Sequence, residues 1–185
     1  SLALSSDWSL LYVGGSFTNI GGQARNRLAA INTTTGLATA FNPNVTGGTV
    51  TSLALSSNDA TLYAGGEFTT VGGVSASYLA AITTSSGALA LPDISTDGPV
   101  RSLALSSNDA TLYVGGEFFV LGSLQDARSY IGAINTTTSE ATVFAPEADG
   151  TVFSLALSSD DLTLYAGGEF STIGGESRTG IAALS

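Results

Sequence analysis

The sequence predicts an all-β fold in which one small antiparallel sheet is repeated along the chain, and three observations predict it. The hexapeptide Ser-Leu-Ala-Leu-Ser-Ser starts at Ser1, Ser52, Ser102 and Ser154, so the 185 residues repeat with spacings of 51, 50 and 52. Within each copy apolar and small polar residues alternate, the two-residue period of a half-buried strand. No stretch holds the 3.6-residue apolar period of a helix for long enough to argue for one.

The second copy shows the elements in order. A strand is expected over 50–56, where the alternation is clearest, and Asn58-Asp59 supplies the turn that ends it. A second strand is expected over 61–68. In it Tyr63, Gly65 and Glu67 share one face, while Ala64, Gly66 and Phe68 share the other. A third strand is expected over 78–84, a turn at Ser85-Ser86-Gly87, and a fourth strand over 88–94. Asp97-Gly98-Pro99 then leads into the next copy.

The same landmarks recur throughout. A tyrosine stands eleven residues into each copy (Tyr12, Tyr63, Tyr113, Tyr165), followed by a glycine pair at 14–15, 65–66, 115–116 and 167–168. Ser16, Glu67, Glu117 and Glu169 come next, then Phe17, Phe68, Phe118 and Phe170. A second glycine pair lies at 21–22, 72–73 and 174–175, with Gly122-Ser123 and a short insertion over 124–129 in the third copy.

Four short antiparallel strands in about 50 residues is the size of a β-propeller blade. The expectation is therefore a single propeller domain of about four blades, over 1–51, 52–101, 102–153 and 154–185, the last lacking its fourth strand. Glycine in a strand marks a bulge or a close backbone approach, and crowding near a propeller axis accounts for the first pair. A bare third strand in the last blade would expose unpaired backbone groups. Its residues Gly180, Ile181, Ala182, Ala183 and Leu184 are expected to be covered by a strand donated from elsewhere in a longer chain or from another subunit. The chain does not begin with Met and its first residue already lies inside a repeat, which reads as a processed product or a piece of a longer protein.

Composition excludes several chemistries. There is no His and no Cys, so no Ser-His-Asp triad, Cys-His pair, ordinary zinc site or disulfide can form. Fifteen carboxylates against five arginines and no lysine give a net charge of −10, with no basic cluster for nucleic acid. No run approaches the 18 apolar residues that a membrane-spanning helix needs. Charged residues are 11% of the chain, against about 25% in an average protein, while Ser and Thr together number 48.

Segments such as LYAGGEFTTVGG, LYVGGSFTNIGGQARNRLAAINTTTG and FNPNVTGGTV resemble the delta-60 repeats of large secreted proteins, and are similar to the repeats of the fungal cortical cell-polarity marker family. Both are similar to kelch-type propellers in carrying a strand with a double glycine. The resemblance implies a propeller on a secreted or cell-surface protein, and it supplies no catalytic or cofactor-binding residues.

Several residues invite a functional reading. Glu67, Glu117 and Glu169 recur at one position and could ring a hard cation such as calcium. The structural reading is favoured: it pairs them with the recurring arginines, either as Glu117–Arg128 and Glu169–Arg178 or as Arg25–Glu67 and Arg128–Glu169. Asp160-Asp161 resemble a catalytic carboxylate pair but sit where the other copies have turn residues. Trp8 either packs beneath a loop or anchors an interface, and Phe119 and Leu121 suggest a partner contact. Asn32, Asn44 and Asn135 begin Asn-x-Thr sequons, acceptors of glycans in a eukaryotic secreted protein. The function expected is that of a non-enzymatic structural or interaction module with protein partners or self-assembly, the alternative being a ligand- or glycan-binding adhesive module.

Overall fold

A computed structural model describes residues 1–91, 94–122 and 126–185, the side chain of Leu91 excepted. Strand and turn account for all the regular structure among them; there is no helix.

Each repeat builds an antiparallel sheet in which its second strand lies between the first and third. The strands are Leu2–Leu4, Leu10–Gly14 and Leu28–Asn32 in the first repeat, and Val50–Leu55, Thr61–Gly66 and Leu79–Thr83 in the second. They are Val100–Leu105, Thr111–Gly116 and Ile131–Asn135 in the third, and Val152–Leu157, Leu164–Gly168 and Ile181–Leu184 in the fourth. The register is the same in every copy: Leu53 faces Ala64, Leu103 faces Val114 and Leu155 faces Ala166. A bulge follows the leading valine in the last three copies, leaving Thr51, Arg101 and Phe153 as the extra residues.

The second and third strands are joined by a small hairpin that the alternation did not announce, because its strands are two residues long. It is formed by Asn19–Ile20 with Gln23–Ala24, Thr70–Val71 with Val74–Ser75, Val120–Leu121 with Asp126–Ala127, and Thr172–Ile173 with Glu176–Ser177. The second glycine pair is its tip. At Gly72 and Gly73 φ is 60° and 81°, both left-handed, which is what a two-residue hairpin turn of type I′ demands. In the third copy Ser123 of the Gly122-Ser123 pair and residues 124–125 of the insertion lie outside the described residues.

Among the described residues a regular fourth strand forms only in the second repeat, where Leu89–Leu91 pairs with the third strand. Part of the expected span 88–94, at 92–93, lies outside the described residues. In the first and third repeats the fourth strand shrinks to single bridges, Ile31 with Ala38 and Ile134 with Ala141. The reason lies next to each bridge. The Thr39 carbonyl accepts from Arg25 Nη2 at 2.6 Å, and the Thr142 carbonyl from Arg128 Nη2 at 2.6 Å, so an arginine takes the acceptor that a longer ladder would use. The second repeat has Ala76 at that position and keeps its strand.

The connecting segment then crosses to the next repeat. Val45–Thr46 adds a third strand to the hairpin of repeat two, and Thr96 and Ala148 make the corresponding bridges to Leu121 and Ile173. Apolar side chains gather between successive sheets. Tyr12, Leu28 and Ala30 of repeat one pack with Val50, Leu53, Ala64 and Phe68 of repeat two. Tyr63 and Ala81 pack with Val100, Leu103, Val114 and Phe118 of repeat three. Tyr113 and Ile131 join Val152, Leu155, Ala166 and Phe170 of repeat four. The alternation of Tyr63 against Ala64 thus divides one strand between two cores, as its sequence implies.

The first glycine pair has a different cause from crowding at an axis. A Cβ on Gly65 would stand 2.5 Å from Cγ1 of Val100, in the next repeat, while one on Gly66 would strike the Thr49 carbonyl of its own sheet. One glycine makes room between sheets and the other makes room for the bulge.

Candidate functional site

The recurring glutamates lie just past the second strands. Glu67 and Glu117 are half-buried, and Arg101, the bulge residue of the third repeat, lies between them. Its Nη1 is 2.6 Å from Glu67 Oε1, and its Nε and Nη2 are 2.8 and 2.7 Å from Glu117 Oε1. Burial works against the Arg101 charge, but the hydrogen bonds to Glu117 and Glu67 outweigh it and raise its pKa. Glu169 is exposed, and its side chain has no partner among the described residues. The three carboxylates are therefore not gathered around one point, and no group of three carboxylates among the described residues is placed to hold a metal.

The expected ion pairs are corrected by the same geometry. Arg25 and Arg128 spend their guanidinium groups on backbone carbonyls, and Arg178 donates to the Ala183 carbonyl. Neither pairing scheme forms, because these arginines clamp the outgoing chain while Arg101, which has Thr51 and Phe153 as its counterparts, serves both glutamates. Arg101→Met should lower stability by about 1 kcal/mol, the scale of a partly exposed pair that leaves two carboxylates facing each other. Added salt should shrink that loss, since it screens their repulsion. Urea melts of both proteins at low and high salt measure it.

The turns after the first strands hold five more carboxylates, Asp7, Asp59, Asp109, Asp160 and Asp161. Asp160 accepts from the Ser158 hydroxyl and the Leu162 amide, closing its own turn. Asp161 accepts from the amide and hydroxyl of Ser107, in the preceding repeat. Asp109 does the same for Ser57, and Asp59 for Ser6. These aspartates have φ of 58–59°, and Trp8, their counterpart in the first repeat, has 64°. The pair at 160–161 is thus fully engaged in structure.

The Ser5 hydroxyl, then the amide and hydroxyl of Ser9, hold the Asp7 carboxyl down at about 2. The Ser171 hydroxyl, then backbone amides of Thr172 and Ser171, hold Asp149 at about 2, and the Ser158 hydroxyl lowers Asp160. In the unfolded chain an aspartate titrates at about 3.9. These groups therefore stabilise the fold above pH ~4, and their contribution disappears as pH falls toward ~2. Melting temperature should drop across that window, and Asp7→Asn with Asp149→Asn should flatten the drop.

The surface residues are placed unevenly. Trp8 is 73% exposed, and Phe119 is 53% exposed with its ring edge-on to Tyr130 at 5.0 Å. Leu121 is corrected to a core residue: it is fully buried, because its strand position points into the core between repeats two and three. The block at 180–184 divides by alternation. Ile181 and Ala183 lie on an open sheet face, Ala182 and Leu184 are buried in their own core, and Gly180 forms a left-handed turn with φ of 73°. Asn32 and Asn135 end third strands, and their Oδ1 atoms cap the turns that follow. Asn44 is exposed and accepts from Asn26.

These features define a repeat protein of β-propeller type. A family model described as a β-propeller domain of unknown function (DUF5122) matches residues 11–34, from the second strand of the first repeat to the turn after its third. No curated protein matches the chain.

Proposed function

We propose that the chain is a non-enzymatic structural or interaction module of propeller type, of the delta-60 or kelch-like kind. In this reading it belongs to a secreted or cell-surface protein and scaffolds a larger extracellular assembly. One observation carries it. The polar residues that recur with the repeat, the motif serines and turn aspartates above all, bond to neighbouring repeats, so what is repeated is a means of joining sheets. The chain supplies about four blades, and the free edge of Ile181–Leu184 takes a strand from outside them. Asn32, Asn44 and Asn135 carry glycans where the source glycosylates secreted proteins.

Sedimentation velocity across a range of concentrations tests the reading. Assembly into defined larger species supports it, and a monomer at every concentration that turns over a substrate refutes it. A second reading, a glycan-binding adhesive module, draws on the exposed aromatic rings of Trp8 and Phe119, which suit stacking on a sugar. Saturable binding to a glycan array, lost in Trp8→Ala or Phe119→Ala, would favour it.

A further inference from the structure

The three junctions between repeats are made by the same contacts. A valine of the following repeat enters the space left by a glycine: Val50 at Gly14, Val100 at Gly65, Val152 at Gly115, each within 2.5–2.8 Å of where a Cβ would stand. Three residues on, the leucine amide donates to the motif serine of the preceding repeat, Leu53 to Ser1 at 3.1 Å and Leu103 to Ser52 and Leu155 to Ser102 at 3.0 Å. Six residues beyond the leucine, the turn aspartate accepts from the last motif serine, as described above for Asp59, Asp109 and Asp161.

The fourth repeat carries the receiving half of all three contacts, unfilled. No heavy atom outside its chain neighbours comes closer than 3.9 Å to a Cβ placed on Gly167. The hydroxyls of Ser154 and Ser159, counterparts of Ser52 and Ser57, make no hydrogen bond among the described residues. Tyr165 is 49% exposed, whereas Tyr12 and Tyr63 are 3% and 4% exposed, and Ile181 is 72% exposed. Together with Ser154, Ala156, Ala166 and Gly167 they line an apolar hollow of about 170 Å³.

We propose that this face is a docking seat for a further polypeptide repeat of the same kind, defined by Val-x-x-Leu with an aspartate six residues later in a left-handed turn. The proposal deepens the assembly reading and rests on it. The occupant is a repeat bearing that aspartate and not the first repeat of a second copy. That repeat does expose a leucine face, Leu2 at 63% and Leu4 at 39%, but it presents Trp8 where the aspartate belongs. Indole offers a donor but no acceptor, so the Ser159 amide, whose counterparts in Ser57 and Ser107 donate to the aspartate, would be covered without a partner. A docked repeat would bury Tyr165 and Ile181, satisfy Ser154 and Ser159, and lay its connecting segment along the free edge of Ile181–Leu184. An arginine at its bulge would reach Glu169 as Arg101 reaches Glu67.

The test extends the full chain. Residues 83–134, which carry Val100, Leu103 and Asp109, are appended after Leu184, the counterpart of Ile82, so that a native-length connection delivers the new repeat to the seat. Nitration of Tyr165 is followed by mass spectrometry in the parent and extended chains. Tyr165 should react about tenfold more slowly once extended, because a buried ring reacts only on local opening. Gly167→Val in the extended chain should restore the parent rate, and in the parent it should leave melting unchanged. An unprotected Tyr165 in the extended chain, or protection that survives Gly167→Val, overturns the proposal. Protection in the parent that rises with concentration also overturns it, by making a second copy the occupant. Failure of the seat alone would leave any assembly through other surfaces visible in sedimentation, so the two readings fail separately.

Discussion

Replacing Gly65 by alanine is expected to lower stability by about 2–3 kcal/mol, whereas the same change at its counterpart Gly167 is expected to be neutral or slightly stabilising. The new Cβ at Gly65 would stand 2.5 Å from Val100 Cγ1 and 3.4 Å from Leu103 Cγ. Valine is stiff about χ1 and sits at a bulge held by the ladder on both sides, so the contact is relieved only by moving a whole sheet. At Gly167 there is open space. The second glycines behave differently. Gly66 and Gly168 both face backbone carbonyls within their own sheets, of Thr49 and Thr151, so alanine should be harmful at both. Four single variants measured by urea unfolding therefore separate the two roles: harm at 65, 66 and 168, and none at 167. Equal harm at 65 and 167 would mean that glycine serves the strand itself and not the junction.

Truncation of Phe118 to alanine should cost about 3–5 kcal/mol, the range for a large aromatic lost from a closed core. Its ring is fully buried among Leu103, Val114 and Leu121, in the middle junction. The same truncation at Phe17 should cost clearly less. Phe17 is only half-buried, and among the described residues its hairpin has no added strand of the kind that Val45–Thr46 gives the second. Each repeat depends mainly on its neighbours, so the loss in the middle should loosen both sides of the chain. Equilibrium melts followed by tyrosine fluorescence and by circular dichroism would show this as two transitions that no longer coincide.

Much of this was legible in the sequence because it repeats. The four sheets, the division of Tyr63 and Ala64 between faces, and the turns at 58–59 and 108–109 all follow from a period and an alternation that use every copy as a witness. What was not legible occurs once or is too short for a pattern. Arg101 has threonine and phenylalanine as counterparts, so comparison of copies pointed to Arg25, Arg128 and Arg178 instead. Those three were misread because nothing local distinguishes an arginine that binds a carbonyl from one that binds a carboxylate. The small hairpin has two-residue strands, below the length at which alternation means anything, though its glycine pair is the residue choice of a type I′ turn. In the sequence Leu121 reads together with Phe119 because both are apolar and lie beside the insertion, but Phe119 sits in the bend before the hairpin while Leu121 lies in its strand and turns into the core.

The bulge and the crossing segment have a consequence for how such a chain can grow. Every junction is written half in one period and half in the next, with valine, leucine and aspartate on one side and glycine and two serines on the other. Duplicating any window of one period, whatever residue it starts from, restores a complete set of halves at each new boundary. Lengthening by unequal recombination therefore needs no favoured breakpoint and invents no new interface. Insertion of a partial period instead puts valine against a side chain rather than a glycine. Selection on such a gene would act on phase more strongly than on copy number, which fits spacings that vary only between 50 and 52 residues.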